Sequence, residues 1–300
     1  MFENLFARRG FSMDRLRVLC EVAVAGSIAK AAGRDPVRQS QFSRQLKELE
    51  NFFEIELTRR HGKVLVLTDA GKELVQIARE TMGRLEDFQQ RALDQPVSFA
   101  LGAGDSLIHW LVLPRLGALP PALRGVNLRI ENLRSSEITN RLHDLSLDLG
   151  IVRRDAVSAP LATAPLGKMD YSLFCAKTSA KKSPDMRCVF QTMPVAMQSG
   201  DGAFMQQFRA WAEKSGLKIF IEQECASFPQ ASRAVRSGHF VSVLPGIARG
   251  ELPASDFWEL DIPGLNKEPR AICLAWNPRI ARLRGAAEDL INHCKRVLKF

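Results

Sequence analysis

Five side chains on one short stretch carry the chemistry that first needs explaining. In QSQFSRQLK, residues 39–47, an amide, two hydroxyls, a guanidinium and an ammonium stand at Gln39, Ser40, Ser43, Arg44 and Lys47. On a helix turning about 100° per residue, Ser40, Ser43, Arg44 and Lys47 share one arc of about 100°, with Gln39 at its N-terminal end. Phe42, Leu46 and Leu49 fall within about 60° of one another on the opposite side, as a core-facing stripe. Hydroxyls, amides and cations on one exposed face can hydrogen-bond base edges and hold phosphates in a major groove. A polar helix face by itself is more often merely solvated. The surrounding elements must therefore decide between the two.

Those elements are short and sharply punctuated. Leu16, Leu19, Val22 and Ala23 recur at helical spacing over residues 16–25, and Gly26 ends the run. Ser27 is placed to cap a second short helix over 28–34, whose Ala31 and Ala32 let another helix approach closely. Asp35-Pro36 breaks it, and a third helix is expected from about 39 to 53. Two short helices joined by a tight turn form a helix-turn-helix pattern. Residues 63–68 then read as a strand, preceded by Arg59-Arg60-His61-Gly62. That suggests a hairpin, or wing, whose tip residues Arg60, His61 and Lys63 could lie along phosphates.

Over 71–93 one apolar seam, Leu74, Ala78, Met82, Leu85, Phe88 and Ala92, steps by three or four residues. It predicts a helix of about 20 residues that pairs with a second copy; packing on its own domain is the competing reading. Dimerisation also suits the energetics. Two good base contacts supply about 2–6 kcal/mol, the low end of the roughly 4–10 kcal/mol typical of specific binding, and two half-sites close the gap.

The composition bounds the alternatives. Three hundred residues with 46% apolar content and 25% charge make a globular chain of two or three domains. The net charge of +9 fits an anionic partner but sits awkwardly, since residues 1–95 hold 16 basic against 14 acidic side chains. DNA binding must then rest on local placement. Six cysteines without CxxC or zinc spacing read as reduced, mostly buried thiols of a cytoplasmic protein. No apolar run approaches the roughly 18 residues that cross a bilayer, so no membrane association is expected.

Past Asp94-Gln95-Pro96 the chain alternates strand and helix patterns to its end, which implies α/β layers with largely parallel sheets. Within them no HExxH, GxSxG or P-loop occurs, and Gly102-Ala103-Gly104 lacks the third glycine of a dinucleotide fingerprint. The histidines are scattered. Neither an enzyme, a metal nor a cofactor is expected.

The stretch GSIAKAAGRDPVRQSQFSRQLKELENFFEIELTRRHGKVLVLTDAG resembles LysR-type transcriptional regulators, matching their pattern in register at Gly26, Ser27, Ala31, Ala32, Gln39, Ser43, Leu46, Glu50, Thr68 and Gly71 among others. LVLPRLGALPPALRGVNLRI, LSLDLGIV and VRSGHFVSVLPGIA extend the likeness to about residue 300. The chain departs at Asp35, Arg38, Glu54 and Thr58, where the family usually has leucine, Ser/Thr, glycine and phenylalanine. The resemblance implies an extension at 1–12, a winged helix-turn-helix at 13–71, a linker and dimerisation helix at 72–95 and an effector-binding domain at 96–300. That domain is expected to have the type-2 periplasmic-binding-protein fold, with one α/β subdomain from 96–165 and 272–300 and another from 166–271. Matching positions assign Gly104, Asp105, Ser106, Ser199, Gly200 and Phe228 to a small-molecule effector, commonly a carboxylate. Implied partners are double-stranded DNA, that effector, and further copies of the chain as a homodimer or homotetramer. Two alternatives stay open: a constitutive DNA-binding protein without an effector, and an enzyme-like body behind a DNA-binding head.

Overall fold

The computed structural model describes residues 3–7, 9–61, 64–117, 119–179, 184–200, 202–266 and 270–300, with the backbone alone described at Asn4, Phe6, Arg60, His61 and Val64. Two compact units divide the chain, Met1–Val97 with His143–Ser146, and Ser98–Leu142 with Leu147–Phe300.

In the first unit α1 (Glu3–Phe6) precedes α2 (Met13–Ala25), α3 (Ile28–Ala31) and α4 (Pro36–Phe53). A hairpin of β1 (Thr58–His61) and β2 (Val64–Leu67) and the long α5 (Asp69–Ala92) follow. Side-chain oxygens satisfy the free N–H groups at the helix starts: Ser12 accepts from Arg15, Ser27 from Lys30, Asp35 from Val37 and Arg38, and Thr68 from Gly71. Asp35-Pro36 therefore opens α4 instead of only closing α3, and α4 starts three residues before the expected Gln39. Proline at the first helical position lacks an N–H that no partner would have met. α3 ends at Ala31, short of the expected 34, because Gly33 and Arg34 both take left-handed conformations, φ 64° and 66°.

Leu16, Leu19 and Val22 of α2 meet Phe42, Leu46 and Leu49 of α4 and Val75 and Ala78 of α5 in one core. Phe11 joins it, with its ring 5.5 Å from Phe52 and edge-on to Phe53 at 6.1 Å. The head thus reaches back before Met13. A Cβ on Gly71 would overlap the carbonyl oxygen of Leu57, so only glycine lets α5 start against the wing.

Strands and helices of the rest run β3 (Val97–Ala103), α6 (Asp105–Leu107), a π turn (Ile108–Val112), α7 (Leu113–Leu116), β4 (Val126–Asn132), α8 (Ser135–His143), β5 (Leu149–Arg153), β6 (Ala162–Met169), β7 (Tyr171–Ala176), α9 (Met186–Thr192) and β8 (Val195–Gln198). Then come α10 (Ala203–Lys214), β9 (Ile221–Cys225), α11 (Phe228–Arg236), β10 (Ser242–Pro245), β11 (Phe257–Leu260), β12 (Arg270–Trp276), α12 (Pro278–Leu283) and α13 (Ala287–Val297). One sheet has the order β4-β3-β5-β12-β6. In the second subdomain β10-β7-β11 is joined to the parallel pair β8-β9 by a bridge between Val195 and Val241.

The largely parallel sheets expected from the alternation are not found. β12 runs antiparallel to both β5 and β6, and β7 antiparallel to both β10 and β11. The cause is the two crossings, which bring the chain back through the first sheet in the opposite sense. β6 keeps its pairing with β12 through Met169, and β7 of the second subdomain starts at Tyr171. The return is tied beside it: Asn266 accepts from the Tyr171 N–H and donates to the Tyr171 carbonyl, both at 2.8 Å. Arg249 holds Asp170 at 2.9 Å and Glu259 at 2.8 Å. The chain closes on two helices, α12 ending at Leu283 and α13 starting at Ala287.

Candidate nucleic-acid interface and ligand crevice

α4 presents its two faces as its sequence requires. Phe42, Leu46 and Leu49 are buried, whereas Ser40, Ser43, Arg44 and Lys47 are exposed. Gln39 is half-buried and lies a turn inside the helix, its N–H bonded to the Asp35 carbonyl, so Val37 and Arg38 occupy the N-terminal end assigned to it. The ion pairs around Arg44 leave it available. Glu48 Oε2 accepts from Arg15 Nε of α2 at 2.8 Å, while its other oxygen stands 3.7 Å from Arg44 Nε. Arg44 is 75% exposed, and so loose a surface pair costs little to exchange for a base or phosphate.

Glu50 fastens α4 to the wing. Its Oε1 accepts from the N–H groups of Leu57 and Thr58 and from the Thr58 hydroxyl, at 3.0–3.1 Å. The hydroxyl of Thr58 thus gains a use that phenylalanine could not supply. Glu54, another departure, sits in the left-handed C-cap of α4 at φ 58°, a conformation that costs a non-glycine residue about 1–2 kcal/mol. Arg60 and His61 lie on β1, facing Leu65 and Val64 of β2 in register. Their side chains, and the whole of Lys63, are outside the described residues.

The apolar seam of α5 divides. Ala78 is fully buried and Leu74 and Met82 pack on the head's own core, as the competing reading had it. Leu85 and Phe88 are 54% and 65% exposed, and Ala92 is exposed. With the exposed Ile77 and Thr81 they form an exposed face at residues 77, 81, 85, 88 and 92, uncovered among the described residues.

In the second unit Gly104 caps α6, and α6 lies beside α11, so Asp105 and Ser106 are brought towards the end of the second subdomain that carries Phe228. Ser199 is exposed just past β8, with its N–H and its hydroxyl both on the Cys225 carbonyl, and Gly200 follows at φ 102°. Phe228 is not a free crevice residue. It is 7% exposed, 4.9 Å from the Phe204 ring and 5.9 Å from the Tyr171 ring, in the aromatic core of its subdomain.

Sequence reading missed the carboxylate that joins the subdomains. Glu251 accepts from Trp110 Nε1 at 2.8 Å and lies 3.5 Å from His109 Nε2, both on the first subdomain, and 3.4 and 3.6 Å from Arg236 and Arg233. A groove of about 760 Å³ runs beside it, lined among others by Pro114, Ile247 and Phe257. Burial pushes the Glu251 carboxyl up, but the Trp110 N–H and the charges of His109, Arg233 and Arg236 outweigh it, so it sits below the ordinary 4.5. A depressed folded value means stability that is present above the unfolded value and lost as pH falls through the folded one. We therefore expect acid melting curves in which Glu251→Gln flattens the loss below pH 4.5. An unchanged acid limb would mean that the contact contributes nothing.

Five of the six cysteines are buried and only Cys188 is exposed. Burial raises the Cys20, Cys175 and Cys225 thiols, and pushes Cys273 to about 11 and Cys294 to about 12. These thiols stay protonated and weakly nucleophilic at neutral pH. Among the described residues no group of three His, Cys, Asp or Glu side chains could hold a metal ion, and no helix is long and apolar enough to cross a membrane.

Two family models match the chain: the bacterial regulatory helix-turn-helix protein of the lysR family over residues 13–72, and the LysR substrate binding domain over 98–299. The glycine cleavage system transcriptional activator of Escherichia coli K12 is 30% identical over 128 residues, 42% of either chain. The HTH-type transcriptional regulator HdfR of Salmonella newport is 25% identical over 175 residues, 57% of this chain and 63% of that one. These matches thus span about half of the curated relatives' length. Full-length OxyR from Pseudomonas aeruginosa, carrying a cysteine-to-aspartate substitution, superposes with a TM-score of 0.59 at 21% identity, covering 96% of this chain and 95% of its own. DarR of Vibrio fischeri, solved in complex with DNA, gives 0.55 at 18%, covering 96% and 99%. At such identities the likeness is one of fold.

Proposed function

We propose a function from one premise: this chain belongs to the LysR family, whose DNA-binding and substrate-binding models between them match residues 13–72 and 98–299. It is a sequence-specific DNA-binding transcriptional regulator of the cytoplasm, acting as a homodimer or homotetramer under the control of a small anionic effector held between the two subdomains. The observation that carries this reading is α4, whose hydroxyls and cations stand exposed while its apolar stripe is wholly buried. Ser40, Ser43, Arg44 and Lys47 reach base edges and phosphates, with Gln39 behind them, and Arg60, His61 and Lys63 run along the backbone at the wing. Gly104, Asp105, Ser106, Ser199 and Gly200 border the crevice. A ligand there can change DNA binding only through different affinities for two arrangements of the protein.

The test is binding to the DNA flanking the coding region against scrambled DNA of equal length, across a salt series. At least a 10³-fold preference with a footprint of two half-sites is expected. Equal binding that fades with salt would reduce α4 to a cationic surface.

The second copy pairs through the exposed face of α5. Phe88→Glu sets two carboxylates into that seam, and sedimentation should show the assembly falling apart while the head keeps its fold. An unchanged assembly would move the interface elsewhere.

A further inference from the structure

Four segments of chain arrive at one edge of the five-stranded sheet. β3 and β5 are parallel, Leu101 opposite Leu149 and Gly102 opposite Gly150, so Gly104 and Arg153 leave the sheet at the same end. β12 is antiparallel to β5 and begins at that end with Arg270; β6 is antiparallel to β12 and delivers Tyr171 there. Register then fixes sidedness. Arg153 pairs with Ile272, and Arg270 lies two residues before it, so both arginines point to one face as diagonal neighbours, about 7–8 Å apart at the backbone.

Neutral groups hold Arg270. Its Nη2 donates to Gln207 Oε1 at 2.8 Å, and its Cζ stands 5.6 Å from the centre of the Tyr171 ring. Among the described residues no carboxylate pairs with it. Arg153 is 34% exposed and faces Asp155 at 3.4 Å, a partner itself 71% exposed; a pair of that kind is weak and readily replaced. Burial raises the Tyr171 phenol, and Arg270 and Arg153 oppose that rise, which brings both positive charges to bear on one hydroxyl. Two guanidiniums on one face, close to the crossings between subdomains and without a buried counter-charge, repel each other until an anion lies between them.

We infer that Arg153 and Arg270 form the floor of the effector crevice and select a small dianion, each guanidinium donating to one acidic group or both to a single doubly charged one. This rests on the effector reading above and makes it narrower. Both arginines stand on adjacent strands of the first sheet, so the dianion reaches the second subdomain through Arg270, which donates to Gln207 and lies against the Tyr171 ring.

The experiment titrates the full-length protein with malonate, succinate, glutarate, inorganic phosphate and sulfate, and with acetate and butyrate as monoanions, at constant ionic strength. Calorimetry and thermal midpoint are the readouts. We expect at least one dianion to bind about tenfold or more tighter than either monoanion, and Arg153→Gln and Arg270→Gln each to weaken it by about tenfold to a hundredfold. The dicarboxylates and the inorganic anions separate two acidic groups from one. Arg153 is exposed enough for its variant to fold even where Arg270→Gln does not. Equal binding of mono- and dianions, no binding of any of them, or dianion binding indifferent to Arg153→Gln would overturn the inference. Preference for flanking over scrambled DNA, measured on the same unliganded samples, reports separately on the regulator reading.

Discussion

Arg44→Ala is expected to lower the affinity for specific DNA by about 30-fold or more while leaving non-specific binding nearly intact. A bidentate contact from arginine to a guanine edge contributes about 1–3 kcal/mol of discrimination, and a dimer makes it twice, so about 2–6 kcal/mol is at stake. The structure supports this on two counts. The side chain is 75% exposed, so its removal leaves no cavity, and alanine keeps the helix. Its neighbour Glu48 is already committed to Arg15, so the loss releases no buried charge. Competitive titration on both DNAs across a salt series checks it. An equal loss on both, with the salt slope reduced by about one, would make Arg44 a phosphate contact instead.

The largest effect on stability is expected at Asp148. Its Oδ2 accepts the Ala100 N–H at 2.7 Å and its Oδ1 accepts Arg284 Nη1 at 2.8 Å. Arg284 donates from Nη2 to the Ser98 carbonyl at 2.7 Å, and its Cζ stands over the Phe99 ring, 4.0 Å from its centre. Both side chains are below 15% exposed. Asp148→Ala therefore removes a carboxylate from a buried guanidinium and an acceptor from the Ala100 N–H, at a cost of about 3–5 kcal/mol. For a body of this size that lowers the thermal midpoint by roughly 6–20 °C. Asp148→Asn, which still accepts one of the two bonds, should lose less. A loss below about 1 kcal/mol for the alanine variant would show that the pair is dispensable.

The elements of the head were legible because their signals are local. Ser27 three residues before Lys30, and Phe42, Leu46 and Leu49 on one stripe of a helix, depend only on spacing along the chain, and the structure keeps both. What was misread is local chemistry with two meanings. Asp35-Pro36 stops one helix and starts the next, and only the hydrogen bonds from Val37 and Arg38 to the aspartate reveal the start. β6 and β11 carry weak sequence signals for a related reason: β6 contains Pro165 and Gly167 and shows no clean alternation, and β11 is four residues long.

Periodicity also cannot say what covers a face. The seam from Leu74 to Ala92 is one pattern in the sequence, but its first half packs into the core of the head and its second, among the described residues, is left exposed.

By itself the sequence determined the polar reading face, its buried counterpart, the long apolar helix and the α/β alternation, because each follows from the period of one element and the chemistry of its side chains. Tertiary structure alone decided that Phe228 belongs to a core, that Glu251 meets Trp110 from 141 residues away, and that Arg153 and Arg270 share a face. Those pairings depend on strand order, register and the sense in which the chain recrosses the first sheet, and no spacing along the sequence encodes them.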